Sequence, residues 1–250
     1  VVKILVEEGA AVKAGDTVII LEAMKMETEI TAPGDGTVAA IAVEVGEAVQ
    51  GGQVLIERGV RRFEGADREG FFRWLNSQVG KGGTPLFRAM ESVGEYYRRD
   101  DDQGPWSWQP GVGDGRPHLT CRRSFHILMT DGQYNEDPSK YARIEADSND
   151  GPVITGVNGQ RYQYRPTPPY RGSISGSLAD LAAKYWREDL RPTLDNAVKP
   201  TTAGKAGIDN PSFWQNMTTF TLGFGVEGTL KASDWEGLQN GTKQWPSVIR

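Results

Sequence analysis

The chain has 250 residues, with 28 basic and 33 acidic side chains and a formal net charge of −5. That length suits one large or two smaller domains, and the acidic balance argues against a general nucleic-acid binder. No apolar run approaches the roughly 20 residues that a membrane-spanning helix needs. The N-terminus shows no basic stretch followed by an apolar core, so neither a membrane span nor a signal peptide is expected.

The first 57 residues contain an internal repeat. Ile4, Val6, Glu7, Gly9, Val12 and Gly15 recur 37 positions later as Ile41, Val43, Glu44, Gly46, Val49 and Gly52. Val18 and Ile19 recur as Leu55 and Ile56. Two copies of one strand-turn-strand unit predict a pseudo-twofold β structure, with alternating residues filling a small sandwich core and glycines at the turns. Between the copies runs an apolar strand, Thr17 to Leu21, then the polar stretch Glu22-Ala23-Met24-Lys25-Met26-Glu27. A second strand, Thr28 to Ala32, ends at Pro33-Gly34-Asp35-Gly36. Strand, short polar tip and strand predict a hairpin with Lys25 at its tip. Taken alone, a lysine there is a solvated turn residue.

Glu22-Ala-Met-Lys-Met-Glu27 followed by Ala32-Pro33 resembles the biotinyl domain family, the biotin carboxyl carriers. The likeness covers residues 1–57 and implies that Lys25 is the biotin attachment lysine. It also implies that Met24 and Met26 belong to the surface a biotin protein ligase recognises. The implied partners are that ligase and the biotin carboxylase and carboxyltransferase domains between which the biotin would carry its carboxyl group. The lipoyl domain shares the fold, but its lysine usually lacks the paired methionines. The implied fold is a small all-β biotinyl/lipoyl sandwich, hammerhead-like. The counterpart of residues 32–36 would fall before Val1, so this domain reads as truncated, with an open strand edge.

Composition changes sharply after residue 57. Residues 1–57 hold three basic and ten acidic side chains and no aromatic ones; the rest holds all seven Trp, eight Tyr and eight Phe. A boundary is therefore expected near residues 57–59, giving domains at 1–57 and 58–250. Asp67 to Leu75 is a predicted helix. Thr84 as N-cap and Pro85 as first helical residue predict another, with Leu86, Met90, Val93 and Tyr97 on its apolar face. Residues 100–116 read as a loop, with Trp106-Ser107-Trp108 as its anchor or, alternatively, a stacking surface. Ser124 to Met129 is a buried-strand candidate ending at Thr130-Asp131-Gly132, with His126 as a core residue. A small hairpin is expected around Val153 to Tyr164. Ser177 and Asp180 form a capping-box-like start to a helix reaching about Leu190, before Arg191-Pro192. Thr218 to Gly223 is a strand, and residues 232–250 offer a short helix. Cys121 is the single cysteine and has no internal disulfide partner.

An Asp at the end of an apolar strand lies where open α/β sheets bind ligands. Asp131 with Thr84 could supply oxygen ligands to Mg2+ or Ca2+; equally, Asp131 makes a turn with Gly132 and Thr84 caps a helix. Gly82-Gly83-Thr84-Pro85-Leu86, Cys121 to Gly132, Leu178 to Leu194 and Asn210 to Gly223 resemble a von Willebrand factor A-type domain, more narrowly the PilY family of type IV pilus proteins. The resemblance implies an α/β doubly wound sheet over 58–250, with Thr84 and Asp131 as two elements of a metal-ion-dependent adhesion site. The family's D-x-S-x-S loop has no counterpart in this chain, so the site reads as degenerate and the domain as truncated. The first resemblance implies the cytoplasm (or an organelle matrix), the second the periplasm or cell surface with pilus components as partners. A chimeric join is the economical explanation of both.

Overall fold

The structure is a computed structural model that describes residues 1–23, 26–32, 34–41, 43–49, 56–58, 63–77, 84–132, 134–135, 138–201, 209–225 and 228–246. It divides into two compact units. One comprises Val1–Gly83 with Asp101–His118, the other Thr84–Asp100 with Leu119–Arg250.

In the first unit six short strands form two three-stranded antiparallel sheets. Strands β1 (Lys3–Ile4), β3 (Thr17–Ala23) and β4 (Met26–Thr31) make one; β2 (Ala11–Val12), β5 (Gly36–Ile41) and β6 (Ile56–Arg58) make the other. The 37-residue repeat is visible in the backbone. Gly9 and Gly46 hold the same left-handed conformation, φ +86° and +91°. The Gly9 N–H donates to the Val38 carbonyl at 2.8 Å, and the Gly46 N–H to the Val1 carbonyl at 2.9 Å. Val38 and Val1 are themselves 37 residues apart. Each turn thus bonds to a residue of the opposite copy, as a twofold requires. Val18, Ile19, Ala32, Val38 and Val43 fill the space enclosed. β1 has two residues where β5, its counterpart, has six, yet Lys3 and Ile4 pair with Ile20 and Ile19.

Helix α1 (Gly65–Ser77) follows, its Phe71 and Phe72 meeting Phe63 edge-on at 5.3 and 5.7 Å. In the 101–118 segment Trp106 is fully buried, the anchor its loop position suggested, while Trp108 carries the Arg116 guanidinium 4.7 Å above its ring.

The second unit is built on α2 (Leu86–Arg98), β7 (Phe125–Thr130), the hairpin β8 (Val153–Thr155) and β9 (Arg161–Gln163), α3 (Leu178–Arg187), β10 (Thr218–Gly223) and the short α4 (Trp235–Gln239). β7 and β10 pair in parallel, from Thr218 opposite Phe125 to Gly223 opposite Thr130. Among the described residues this sheet has two strands, fewer than the doubly wound sheet expected for 58–250. Parallel sheets are normally covered on both faces. Here Leu128 enters a core with Leu86, Phe87, Met90, Leu181, Tyr185 and Met217 from α2, α3 and the approach to β10. On the opposite face Phe125, Ile127, Met129, Phe220 and Leu222 stand 47–63% exposed.

Two helix ends differ from their sequence patterns. Pro85, not Thr84, is the N-cap of α2, with ψ at 68° and no side-chain acceptor at the cap. The reason is local competition: the Thr84 N–H goes to the Asn135 side chain, and its carbonyl accepts from the Leu86 N–H in a tight turn. α3 ends at Arg187 rather than near Leu190, because the Leu190 N–H is drawn to the Gln215 carbonyl. Its start is as expected: the Ser177 hydroxyl accepts from the Asp180 N–H, and the Asp180 carboxylate accepts from the Ser177 N–H, both at 3.1 Å.

α2 and α3 approach closely where Gly94 faces Tyr185. A Cβ at Gly94 would stand 2.4 Å from that ring. Alanine in a helix interior normally gains about 1 kcal/mol over glycine, but overpacking a fixed aromatic ring costs roughly 1–3 kcal/mol. Gly94→Ala is therefore expected to lower stability, seen as a lower urea midpoint for the second unit.

Candidate functional site

The tip hairpin is built by β3 and β4. The pairs run Thr17–Thr31, Ile19–Ile30, Ile20–Glu29, Leu21–Thr28, Glu22–Glu27 and Ala23–Met26, with a register shift between Thr17 and Ile19. The base of the hairpin is anchored by Val18 and Ile19, which are buried. Toward the tip the side chains turn polar: Glu22, Glu27, Thr28 and Glu29 are all exposed. The Thr17 hydroxyl donates to Glu29 at 3.0 Å across the two strands. Glu22 and Glu27 face each other directly, an arrangement that like charges disfavour. Because Ala23 pairs with Met26, residues 24 and 25 are all that join the strands. Met24 and Lys25 lie outside the described residues; Met26 is the first residue of β4.

The other site residues lie in the second unit. Thr84 immediately precedes the turn into α2, and Asp131 follows the last residue of β7 and is exposed. The turn after β7 is closed by the Gly132 N–H donating to the Thr130 hydroxyl at 3.0 Å. Among the described residues no three His, Cys, Asp or Glu side chains are grouped to hold a metal ion. Ca2+ takes six to eight oxygens, and Mg2+ demands octahedral geometry. One hydroxyl and one carboxylate do not by themselves meet either demand.

His126 is buried on the covered face of β7, its Nδ1 3.3 Å from the Thr219 hydroxyl. Burial pushes its pKa below the ordinary value. Cys121 is exposed and free. One feature escaped sequence reading because its members are 33 residues apart. The Asp147 N–H reaches Asp180 at 3.4 Å, and both carboxylates are buried. Burial, then the neighbouring Asp147, pushes the Asp180 carboxyl upward. Asp147 also accepts from the Gly172 N–H at 2.9 Å and from the Ser148 hydroxyl at 2.8 Å. The pair ties residues 147 and 172 to the start of α3, which is a structural task.

The interlocked repeat and the β3–β4 hairpin are the architecture of a biotinyl/lipoyl domain at the N-terminus, over residues 1–57. A family model described as "Biotin-requiring enzyme" matches residues 1–57, and through these residues the chain belongs to that biotin/lipoyl family. Over that region the chain is 53% identical in 57 residues to the biotin-dependent acyl-coenzyme A carboxylase alpha3 subunit of Mycobacterium leprae, covering 23% of this chain and 10% of that protein. It is 47% identical in 51 residues to the biotin carboxyl carrier protein of acetyl-CoA carboxylase from Solanum lycopersicum, covering 20% of this chain and 73% of that sequence. A larger part of the chain is similar to type IV pilus biogenesis factor PilY1 of Pseudomonas aeruginosa strain PAK, 34% identical over 208 residues. That match covers 76% of this chain but only 17% of PilY1. No helix among the described residues is long and apolar enough to cross a membrane.

The depressed His126 pKa makes a prediction with a definite sign. The fold holds the neutral imidazole, so this contribution is fully present above the unfolded value near 6.5. It is lost as pH falls through the lower folded value. His126→Gln, which keeps a polar group opposite Thr219, is expected to flatten the loss of stability between about pH 7 and pH 5, measured by urea denaturation of the two proteins across that range.

Proposed function

We propose that residues 1–57 form a biotin carrier module, with biotin joined through an amide bond to Nζ of Lys25. The observation that supports this reading is the Ala23–Met26 pair, which leaves two residues to connect strands on which Glu22, Glu27, Thr28 and Glu29 are exposed. A lysine in such a connection can be modified without opening the buried layer around Val18 and Ile19. Met24 and Met26 flank it as the surface that a biotin protein ligase would read. When attached, biotin supplies a ring that carries a carboxyl group from a biotin carboxylase site to a carboxyltransferase site. This chain's contribution is to hold the attachment point on the β3–β4 hairpin, so that each delivery is an intramolecular encounter at high effective concentration. The module is a component of a carboxylase system rather than a catalyst itself, and the reading places it in the cytoplasm. Its boundary falls at residue 57, with residues 58–250 as a separate domain.

Co-expression with a biotin ligase and free biotin is expected to add one biotin, detected by intact mass and streptavidin blot and mapped to the tryptic peptide containing Lys25. Lys25→Arg should abolish both signals while changing stability by no more than about 0.5 kcal/mol. A folded wild-type chain that stays unmodified would count against the carrier reading.

The similarity to PilY1 over the larger part of the chain favours a second reading for residues 58–250. In it they form a von Willebrand factor A-like domain acting with pilus components in the periplasm or at the cell surface. Thr84 and Asp131 are then the remnant of a cation site. This reading expects a small rise in thermal midpoint with Ca2+ or Mg2+, removed by Asp131→Ala; no rise with either cation sinks the cation site.

A further inference from the structure

The half-exposed face of the β7–β10 pair lies wholly within the second unit, and its make-up follows from register. Phe125 stands opposite Thr218, Ile127 opposite Phe220 and Met129 opposite Leu222. Alternate residues of a strand share a face, so these pairs form three rows on one side of the sheet. Along β7 exposure alternates residue by residue, with Leu128 on the covered side. The Phe125 and Phe220 rings are 6.0 Å apart, which makes the patch continuous across the two strands. We propose that this face is the contact between two copies of the chain, packed sheet against sheet about a twofold axis.

Area is the first argument. Phe125, Ile127, Met129, Phe220 and Leu222 stand 47–63% exposed. Phe224, which extends the ladder through its N–H to the Thr130 carbonyl, is 52% exposed. Six large side chains at half exposure leave roughly 600 Å² of apolar surface. That is at the top of what a monomer normally shows in one patch. Two such faces together bury roughly 1,200 Å², the lower end of the range for a specific interface.

The chemistry of the face selects the occupant. None of its six paired positions carries a charge. A nucleic acid needs cations, and an anionic bilayer favours basic residues around an apolar face; these rows offer neither. A second copy brings the same apolar rows, on strands of the same length and twist. Two twisted sheets pack in this way with strands about 30° apart and layers about 10 Å apart. Parallel sheets are normally covered on both faces, and the second copy provides the missing layer.

The test is sedimentation equilibrium of the full 250-residue chain over a range of loading concentrations. A reversible monomer–dimer equilibrium is expected, with Kd in about the micromolar range for an interface of this size. Ile127→Lys and Leu222→Lys, one on each strand, should each weaken dimerisation about a hundredfold or more, because the twofold buries two unpaired charges per dimer. Both side chains are half-exposed in the single chain. The urea midpoints of these variants, at concentrations where the wild type is monomeric, should therefore match it, which separates lost docking from lost folding. Val157→Lys adds the same charge at a residue 52% exposed in the turn after β8 and should leave the dimer intact. A chain that stays monomeric at every concentration, a dimer that Ile127→Lys does not weaken, or one that Val157→Lys weakens equally overturns the proposal. So does binding of the monomer to phosphatidylcholine vesicles that Ile127→Lys abolishes, which would assign the face to a lipid surface.

Discussion

The reciprocal backbone bonds from Gly9 to Val38 and from Gly46 to Val1 are the constraint on which the N-terminal repeat of this protein rests. Each bond leaves one copy of the repeat and ends in the other. Neither copy can close its own small core, because one strand-turn-strand unit has too little apolar surface to bury. The interlock encloses Val18, Ile19, Val38 and Val43, and so provides the platform from which the β3–β4 hairpin projects. Both turns need positive φ, and glycine reaches it without the steric penalty a side chain would bring. The twofold in the sequence is therefore a twofold in backbone conformation.

The second unit depends on a different kind of contact. Its core is aromatic and asymmetric, centred on Tyr185, whose ring occupies the space a side chain at Gly94 would take. The Tyr185 hydroxyl donates to Glu95 at 2.8 Å, so the residue joins α3 to α2 by packing and by a polar bond. The same contact sets where α2 and α3 cover the β7–β10 pair. That pair is covered on one face only, and the row from Phe125 to Leu222 on the other is apolar and half-exposed. The two units thus differ in chemistry. One stabilises a small β structure by repetition with no aromatic residue in 1–57, and the other places large rings around a parallel strand pair.

Much of this was legible from residue order alone, where the determining interactions are local. The capping box at Ser177 and Asp180 spans three residues, and the strand at 125–130 announces itself by an apolar run of strand length. The apolar face of α2 follows from spacing, and Val93 and Tyr97 pack against the core as that spacing implied. The helix ends were less legible because distant partners decide them. Asn135 takes the Thr84 N–H and Gln215 takes the Leu190 N–H, and neither partner is visible within a helical window. The parallel register of β7 and β10, the buried Asp147–Asp180 pair and the meeting of Arg123 with Lys199 are of the same kind.

By itself the sequence determined that there is a repeat with a lysine-bearing hairpin between its copies. Both are read from residues close in sequence or at a constant offset, and turn chemistry leaves few alternatives for them. It also determined which segments are helical and which extended, because periodicity and capping are local properties. Only the tertiary structure decided that the two copies exchange backbone bonds. It alone decided that one face of the parallel pair is covered and the other half-exposed, and that the Arg123 guanidinium reaches the Lys199 carbonyl. Those arrangements join residues tens of positions apart, and nothing in a local pattern encodes which distant partner satisfies a given donor or buries a given side chain.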